Sequence, residues 1–275
     1  MLVALRSKVV FRETSRYILF AHMLFNDTLH LVISMFLYLC NSMYVGMVRI
    51  VCGVIILIST STFTNAPLNL AVMSLERYIA ICFPLRHSEL STSSRTHLAM
   101  AFIWVLGSAN VLIDVFALFF TEPSFFLSPR LCTLEQVIAN NWQKSKGTGL
   151  NVALFVLVGI ILLYTYVAIM MRAHSASTDR ASAQRAMKTV MLHAFQLCLS
   201  LMSFLYVLFE GLMAMLPPAI FIQLRYVNFF VVLLLPRCLS SLIYGLRDEG
   251  FRPVFKYYFT CGTKKVEHSQ SSRKH

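Results

Sequence analysis

The chain has 275 residues, of which 57% are apolar and only 13% charged, and its mean hydropathy is +0.68. Soluble domains sit near roughly 45–50% apolar and about 25% charged, so this composition excludes a disordered tail, a fibrous repeat and a disulfide-rich miniprotein, and it argues against a water-soluble enzyme. A net charge of +12 could suit nucleic acid, but the basic residues fall in short gaps between apolar runs, which points instead to an all-α integral membrane protein.

A helix needs about 20 mainly apolar residues to cross the hydrocarbon core. Six stretches qualify, at 17–40, 49–83, 97–120, 149–172, 185–214 and 221–245, and the last turns of the second extend beyond the lipid. The gaps between them alternate in charge. One side carries Arg6 to Arg16, then Arg77, Arg86 and Arg95, then Arg172 to Lys188, then Arg247 to Lys274. The other side has only Arg49, Arg130, Lys144, Lys146 and Arg225. Lys and Arg concentrate on the cytoplasmic side, so the richer side, including the C-terminus, is expected inside. The whole of 1–275 reads as one transmembrane domain: a short segment 1–16, six spans over 17–247, and a tail 248–275. Within that tail Phe251 to Phe259 is aromatic and basic, and suits a helix lying on the inner membrane face.

Charged and polar groups inside spans are costly, so each is a candidate site. Asp27, Asp114, His193, Glu210 and Arg237 qualify, and sequence alone pairs none of them. Plain packing roles satisfied by neighbours are the alternative. Of seven cysteines, Cys52 and Cys132 fall on the outer side, where an oxidising exterior allows them to bridge. Two unpaired thiols are the alternative, with Cys40 a competitor. Cys261 follows the amphipathic segment and is open to palmitoylation or to no modification. Glu76-Arg77-Tyr78 stands at the inner end of the second stretch, where an acid beside an arginine can form a releasable ion pair. A snorkelling arginine is the simpler reading of that tripeptide. There is no H-E-x-x-H or G-x-S-x-G, and the eight histidines lack metal-ligand spacing, so neither enzyme chemistry, nor a metal, nor a cofactor is expected.

The run Met73-Ser-Leu-Glu-Arg-Tyr-Ile-Ala-Ile-Cys-Phe-Pro-Leu-Arg-His87 resembles the odorant-receptor signature M-x-x-[D/E]-R-Y-[V/I]-A-I-C-x-P-L-R-[Y/H], and odorant receptors are rhodopsin-like G-protein-coupled receptors. Other segments agree. Cys52 lies 25 residues before Arg77, the family spacing for the outer disulfide cysteine. Leu24-Phe-Asn-Asp27 resembles the second family helix with Asp27 at its sodium-site aspartate, and Trp104 fits the fourth. Lys188 to His193 resembles the sixth, and Leu235-Pro-Arg-Cys-Leu to Asp248 is similar to a fish-type seventh.

The resemblance implies a seven-transmembrane receptor bundle in the plasma membrane, with six complete spans here as family helices two to seven and residues 1–16 as the remnant of the first helix and first inner loop. The Asn26-Asp-Thr28 match to a glycosylation acceptor falls inside a span and is not expected to be used. Where the family has proline in N-P-x-x-Y, this chain has Ser241 ahead of Tyr244, which should straighten the last helix locally. A small-molecule odorant is expected to bind near Ser59, Thr60, Phe63 and Thr64 and near Tyr206 and Glu210, although hydroxyls and aromatics also serve as interhelical glue. A heterotrimeric G protein of the stimulatory, cAMP-raising type is expected to meet Glu76, Arg77 and Tyr78, supported by Tyr164, His193 and Tyr244. The rival readings are a truncated, non-signalling receptor with poor surface delivery and a six-span transporter or channel. The latter would need broken helices or an inverted repeat, and none is evident.

Overall fold

A computed structural model of the chain describes residues 13–121, 129–134, 140–175 and 215–247, with isolated positions between 195 and 213. The helices are α1 (Ser15–Ser42), α2 (Arg49–Cys82), the short α3 (His87–Leu90), α4 (Ser93–Thr121), α5 (Asn141–Ser175), α6 (Pro218–Asn228) and α7 (Leu235–Arg247). Two three-residue strands, β1 (Gly46–Val48) and β2 (Pro129–Leu131), pair antiparallel with Met47 opposite Arg130. The described residues are almost entirely helical, as a lipid environment requires: the bilayer core offers no water to backbone N–H and C=O groups.

Among the described residues, four helices are long and apolar enough to cross a membrane: Ser15–Ser42, Arg49–Cys82, Ser93–Phe120 and Asn141–Arg172. They match the first four stretches expected from sequence. The 34 residues of α2 rise roughly 50 Å at about 1.5 Å each, more than the ~30 Å hydrocarbon core. Outward faces remain apolar, with Phe102, Phe116, Ile160 and Leu163 all exposed, because the solvent for this surface is lipid. The fifth stretch, 185–214, lies largely outside the described residues, as do 1–12 and the amphipathic tail 248–275.

Two boundaries differ from the sequence reading. The fourth span begins at Asn141 rather than 149, so Lys144 and Lys146 belong to its first turns and not to a loop. The reason is local neutralisation. Lys146 Nζ donates to Asp114 Oδ1 at 2.6 Å and to the Asn110 carbonyl at 3.0 Å, and buried Gln143 lies against the Asp114 carbonyl. These polar side chains are satisfied by α4, so the helix continues through them. The last stretch is also not one regular helix. Between α6 and α7, residues Phe229–Leu234 form a π-turn, and the Leu235 N–H reaches the Phe230 carbonyl five residues back. Pro236 follows at once, removing a backbone donor and crowding the preceding turn. The backbone is regular α through Ser241, as the missing proline there implies, and the irregularity sits about two to three turns earlier.

α2 is the central helix, with α1, α4 and α5 all packed on it. A core of Leu19, Phe20, Met23, Leu70, Ile103 and Val158 joins the four. Polar ties run through this core. Trp104 Nε1 donates to His22 Nε2 at 2.9 Å, His22 Nδ1 faces Asn69 Oδ1 at 3.1 Å, and Asn69 Nδ2 donates to the Leu19 carbonyl at 3.2 Å. An indole N–H only donates, so His22 accepts at Nε2 and carries its proton on Nδ1. With its amide turned toward carbonyl oxygens, Asn65 donates to Ser61 O at 3.1 Å and Ile103 O at 2.9 Å, tying α2 to α4. Gly107 leaves the room, since a Cβ there would collide with the end of the Asn65 side chain.

Replacing Trp104 by Phe keeps an aromatic ring but strands the His22 acceptor, which costs about 1–3 kcal/mol. Thermal unfolding of the detergent-purified chain measures this. An unchanged midpoint for Trp104→Phe would show that the indole bond contributes nothing.

Candidate functional site

Three groups of expected residues are brought together. The first is deep in the bundle. Arg237, in the first turn of α7, donates from Nη1 to Asp27 Oδ1 on α1 at 3.1 Å, across 210 positions of sequence. Both residues are buried, Asp27 at 5% and Arg237 at 3% exposure. The guanidinium also sits over the Phe63 ring of α2, 5.7 Å from its centroid. Charge pairing and the ring face therefore hold one cation among three helices. His30 completes the cluster. Its Nδ1 faces the Ser59 carbonyl at 3.2 Å and Thr62 Oγ1 at 3.1 Å, and its ring lies 5.9 Å from that of Phe63. The Ser59 carbonyl only accepts, so the proton is on Nδ1.

Of the ligand residues expected from sequence, Ser59 and Phe63 face this cluster. Thr64 is buried, and its hydroxyl donates to the Thr60 carbonyl of its own helix at 3.1 Å. Ser61 and Thr62 likewise bond back to α2 carbonyls. The Tyr206 carbonyl accepts from Asn228 Nδ2 at 3.1 Å, which ties that position to α6. Glu210 and His193 lie outside the described residues, as does Cys261. His30 and His22 were not foreseen as site residues. Their signal in sequence was only a histidine on the same apolar helix as Asp27.

The sodium-site reading of Asp27 meets a specific obstacle. The carboxylate already has a full positive charge at hydrogen-bond distance. A second cation about 4 Å away would be repelled by about 4 kcal/mol even at an effective dielectric near 20. These residues do not fit a bound monovalent ion.

The second group ties the strand pair to the bundle. Cys52 and Cys132 form a disulfide, both buried beside Ile56 and Leu118. Cys40 is a free thiol. Asn41 Nδ2 donates to the Cys132 carbonyl at 3.1 Å, so the segment carrying β2 is fixed to α1 as well as to α2.

The third group lies at the opposite end of α2. Glu76 Oε1 is 3.2 Å from His87 Nε2 on α3, and the Glu76 side chain is largely buried. The hydroxyls of Tyr78 and Tyr164 are 3.3 Å apart, with Phe83 edge-on to Tyr78. Glu76 and Tyr78 are thus each engaged by a neighbouring element, on either side of Arg77 in sequence. Tyr244 is in α7, and its side chain lies outside the described residues.

The family model for 7 transmembrane receptors (rhodopsin family) matches residues 1–244. The chain is also similar to Odorant receptor 131-2 of Danio rerio, 35% identical over 264 residues that cover 95% of this chain and 81% of that protein. The chain belongs to the rhodopsin family of seven-transmembrane receptors, in its odorant-receptor branch. Human Olfactory receptors 2M3 and 2M5 are each 40% identical to it over 84 residues, 30% of this chain and 26% of theirs. As a member of this family the chain is a multi-pass membrane receptor and not an enzyme.

Removing one member of a buried ion pair leaves an uncompensated charge, at a cost of about 3–5 kcal/mol, whereas replacing both by apolar residues is often close to neutral. Arg237→Leu should therefore strongly lower the thermal midpoint in sodium-free buffer, and adding Asp27→Leu should restore most of it. A double-variant loss equal to the sum of the Arg237→Leu and Asp27→Leu losses would mean that the two charges are energetically independent.

Proposed function

We propose that this chain is an odorant receptor of the plasma membrane, which binds a small organic ligand within the bundle and activates a heterotrimeric G protein of the stimulatory type, raising cAMP. One observation carries the reading: similarity to a named odorant receptor runs through 95% of the chain. In this reading residues 17–247 form six complete spans, family helices two to seven. The C-terminus and the Glu76-Arg77-Tyr78 corner face the cytoplasm, and the disulfide faces outside. The excess of Lys and Arg on the motif side supports that orientation.

The ligand would contact Ser59, Thr60, Phe63 and Thr64 on α2, with Tyr206 and Glu210 opposite. Phe63 supports this placement because it lies on the same helix as Arg77 and against the Asp27–Arg237 pair. A ligand that displaces the Phe63 ring disturbs the seat of the guanidinium and so the contact between α1 and α7. It shifts the bundle only as far as its affinities for the two states differ. Moving a population from 1:99 to 99:1 needs about 5.5 kcal/mol of such difference. At the inner end, Glu76, Arg77 and Tyr78 would meet the G protein, with Tyr164, His193 and Tyr244 as supporting contacts. The Tyr78–Tyr164 bond is exposed and weak, which suits a contact exchanged for a partner. Cys261 is a palmitoylation site in the same reading, anchoring the tail.

The test is a panel of amino acids, volatiles and steroids on cells expressing the receptor, read by a cAMP reporter with surface staining in parallel. At least one class should raise cAMP in the parent, and Arg77→Ala should lose that response while keeping ligand binding and surface level. A ligand-evoked cAMP rise undiminished in Arg77→Ala would refute the coupling assignment.

A further inference from the structure

We infer that Arg237 is a tethered cation, built into the last helix, that takes the place of a mobile monovalent ion at Asp27 and leaves this receptor without an interior sodium site. Three observations on three helices converge. Asp27 is buried on α1 and needs a counter-charge, because an ionised carboxylate is not stable unpaired in a lipid-surrounded core. Arg237 supplies it from α7 at 3.1 Å and is itself buried. Phe63 on α2 presents its ring face to the same guanidinium, and the other titratable ring beside that phenyl, His30, has its Nδ1 turned to the Ser59 carbonyl and Thr62 hydroxyl. Asp27 Oδ1 and the Ser59 carbonyl oxygen are thus committed to protein donors. A diffusible cation would have to approach a carboxylate already neutralised and meet the guanidinium's positive charge.

The difference is one of kinetics and conditions as well as of binding. A dissolved ion can leave, and its occupancy follows the sodium concentration on whichever side it enters. A tethered guanidinium stays at full local concentration in fresh water, brine or cytosol alike. It also bonds α1 directly to α7, so any rearrangement of α7 must carry Asp27 along or break a buried ion pair. Truncating Arg237 to serine vacates the space of the guanidinium beside the carboxylate, which should convert the site into one that takes a hard monovalent cation.

The experiment reads thermal unfolding of the ligand-free receptor in detergent, in sodium chloride against choline chloride at equal ionic strength. The parent chain should have the same midpoint in both salts. Arg237→Ser should unfold earlier in choline and regain stability as sodium rises, in the saturating manner of a bound ligand. Asp27→Asn with Arg237→Ser should lose the sodium effect. A saturable, sodium-specific rise in the parent overturns the inference, and so does a folded Arg237→Ser that ignores sodium. Arg237→Gln is the second variant should the serine form not fold, and the parent measurement decides by itself in either case. None of these readouts depends on odorant binding or G-protein coupling, so the result stands apart from the proposed function.

Discussion

A carboxylate inside a lipid-surrounded bundle has to find its counter-charge within the protein, and that requirement organises the interior here. Asp27 lies deep in α1, and the nearest full positive charge is Arg237 near the other end of the chain. Desolvating two such groups costs several kcal/mol each, so the pair need not add net stability. Its effect is on specificity. Once both charges are in the sequence, arrangements that separate α1 from α7 leave two buried charges unpaired, and the arrangement that joins them does not. The guanidinium over Phe63 adds α2 to the same junction. One electrostatic demand therefore fixes three helices at once.

The rest of the polar interior follows the same rule with neutral groups. Between helices in lipid there is little hydrophobic driving force, and packing and hydrogen bonds hold the helices together. The chain from Trp104 through His22 and Asn69 to the Leu19 carbonyl crosses α4, α1 and α2, with every member satisfied. Asn65 makes the second crossing, and Gly107 lets the backbones approach closely enough for it. Most hydroxyls of α2 do something else. Ser61, Thr62 and Thr64 return their protons to carbonyls one turn back, and of the three only Thr62 is also shown meeting another helix, through His30.

What was legible in the sequence is what depends on local composition. Four spans could be read from apolar length, and the orientation argument from where Lys and Arg fall, because bilayer thickness acts on each segment separately. The start of α5 was misplaced because Lys144 and Lys146 read as loop residues until Asp114 on another helix is seen to neutralise Lys146. The partner of Asp27 was not readable for the same reason: pairings across 210 residues are set by the packed bundle and not by spacing. The π-turn at Phe229–Leu234 has a local cause in Pro236, which the sequence reading did not weigh; it considered only the absent proline at 241, where the helix is regular. The histidines were missed because a lone histidine in an apolar helix carries no periodic signal.

α2 carries the argument from one end of the molecule to the other. Its first turn holds Cys52 and with it the strand pair, and its middle holds Ser59 and Phe63 against the buried charges. Its last turns hold Glu76 and Tyr78, each engaged by a different neighbour. The two ends are held differently. At the disulfide end the ties are covalent or buried, so that end has few ways to move. At the motif end they are a partly exposed histidine–carboxylate contact and an exposed pair of hydroxyls, which water or a protein partner can replace at small cost. A helix clamped at one end, packed against a buried ion pair at its centre and loosely held at the other concentrates any displacement at the loose end. That asymmetry follows from which contacts are buried, whichever ligand supplies the energy.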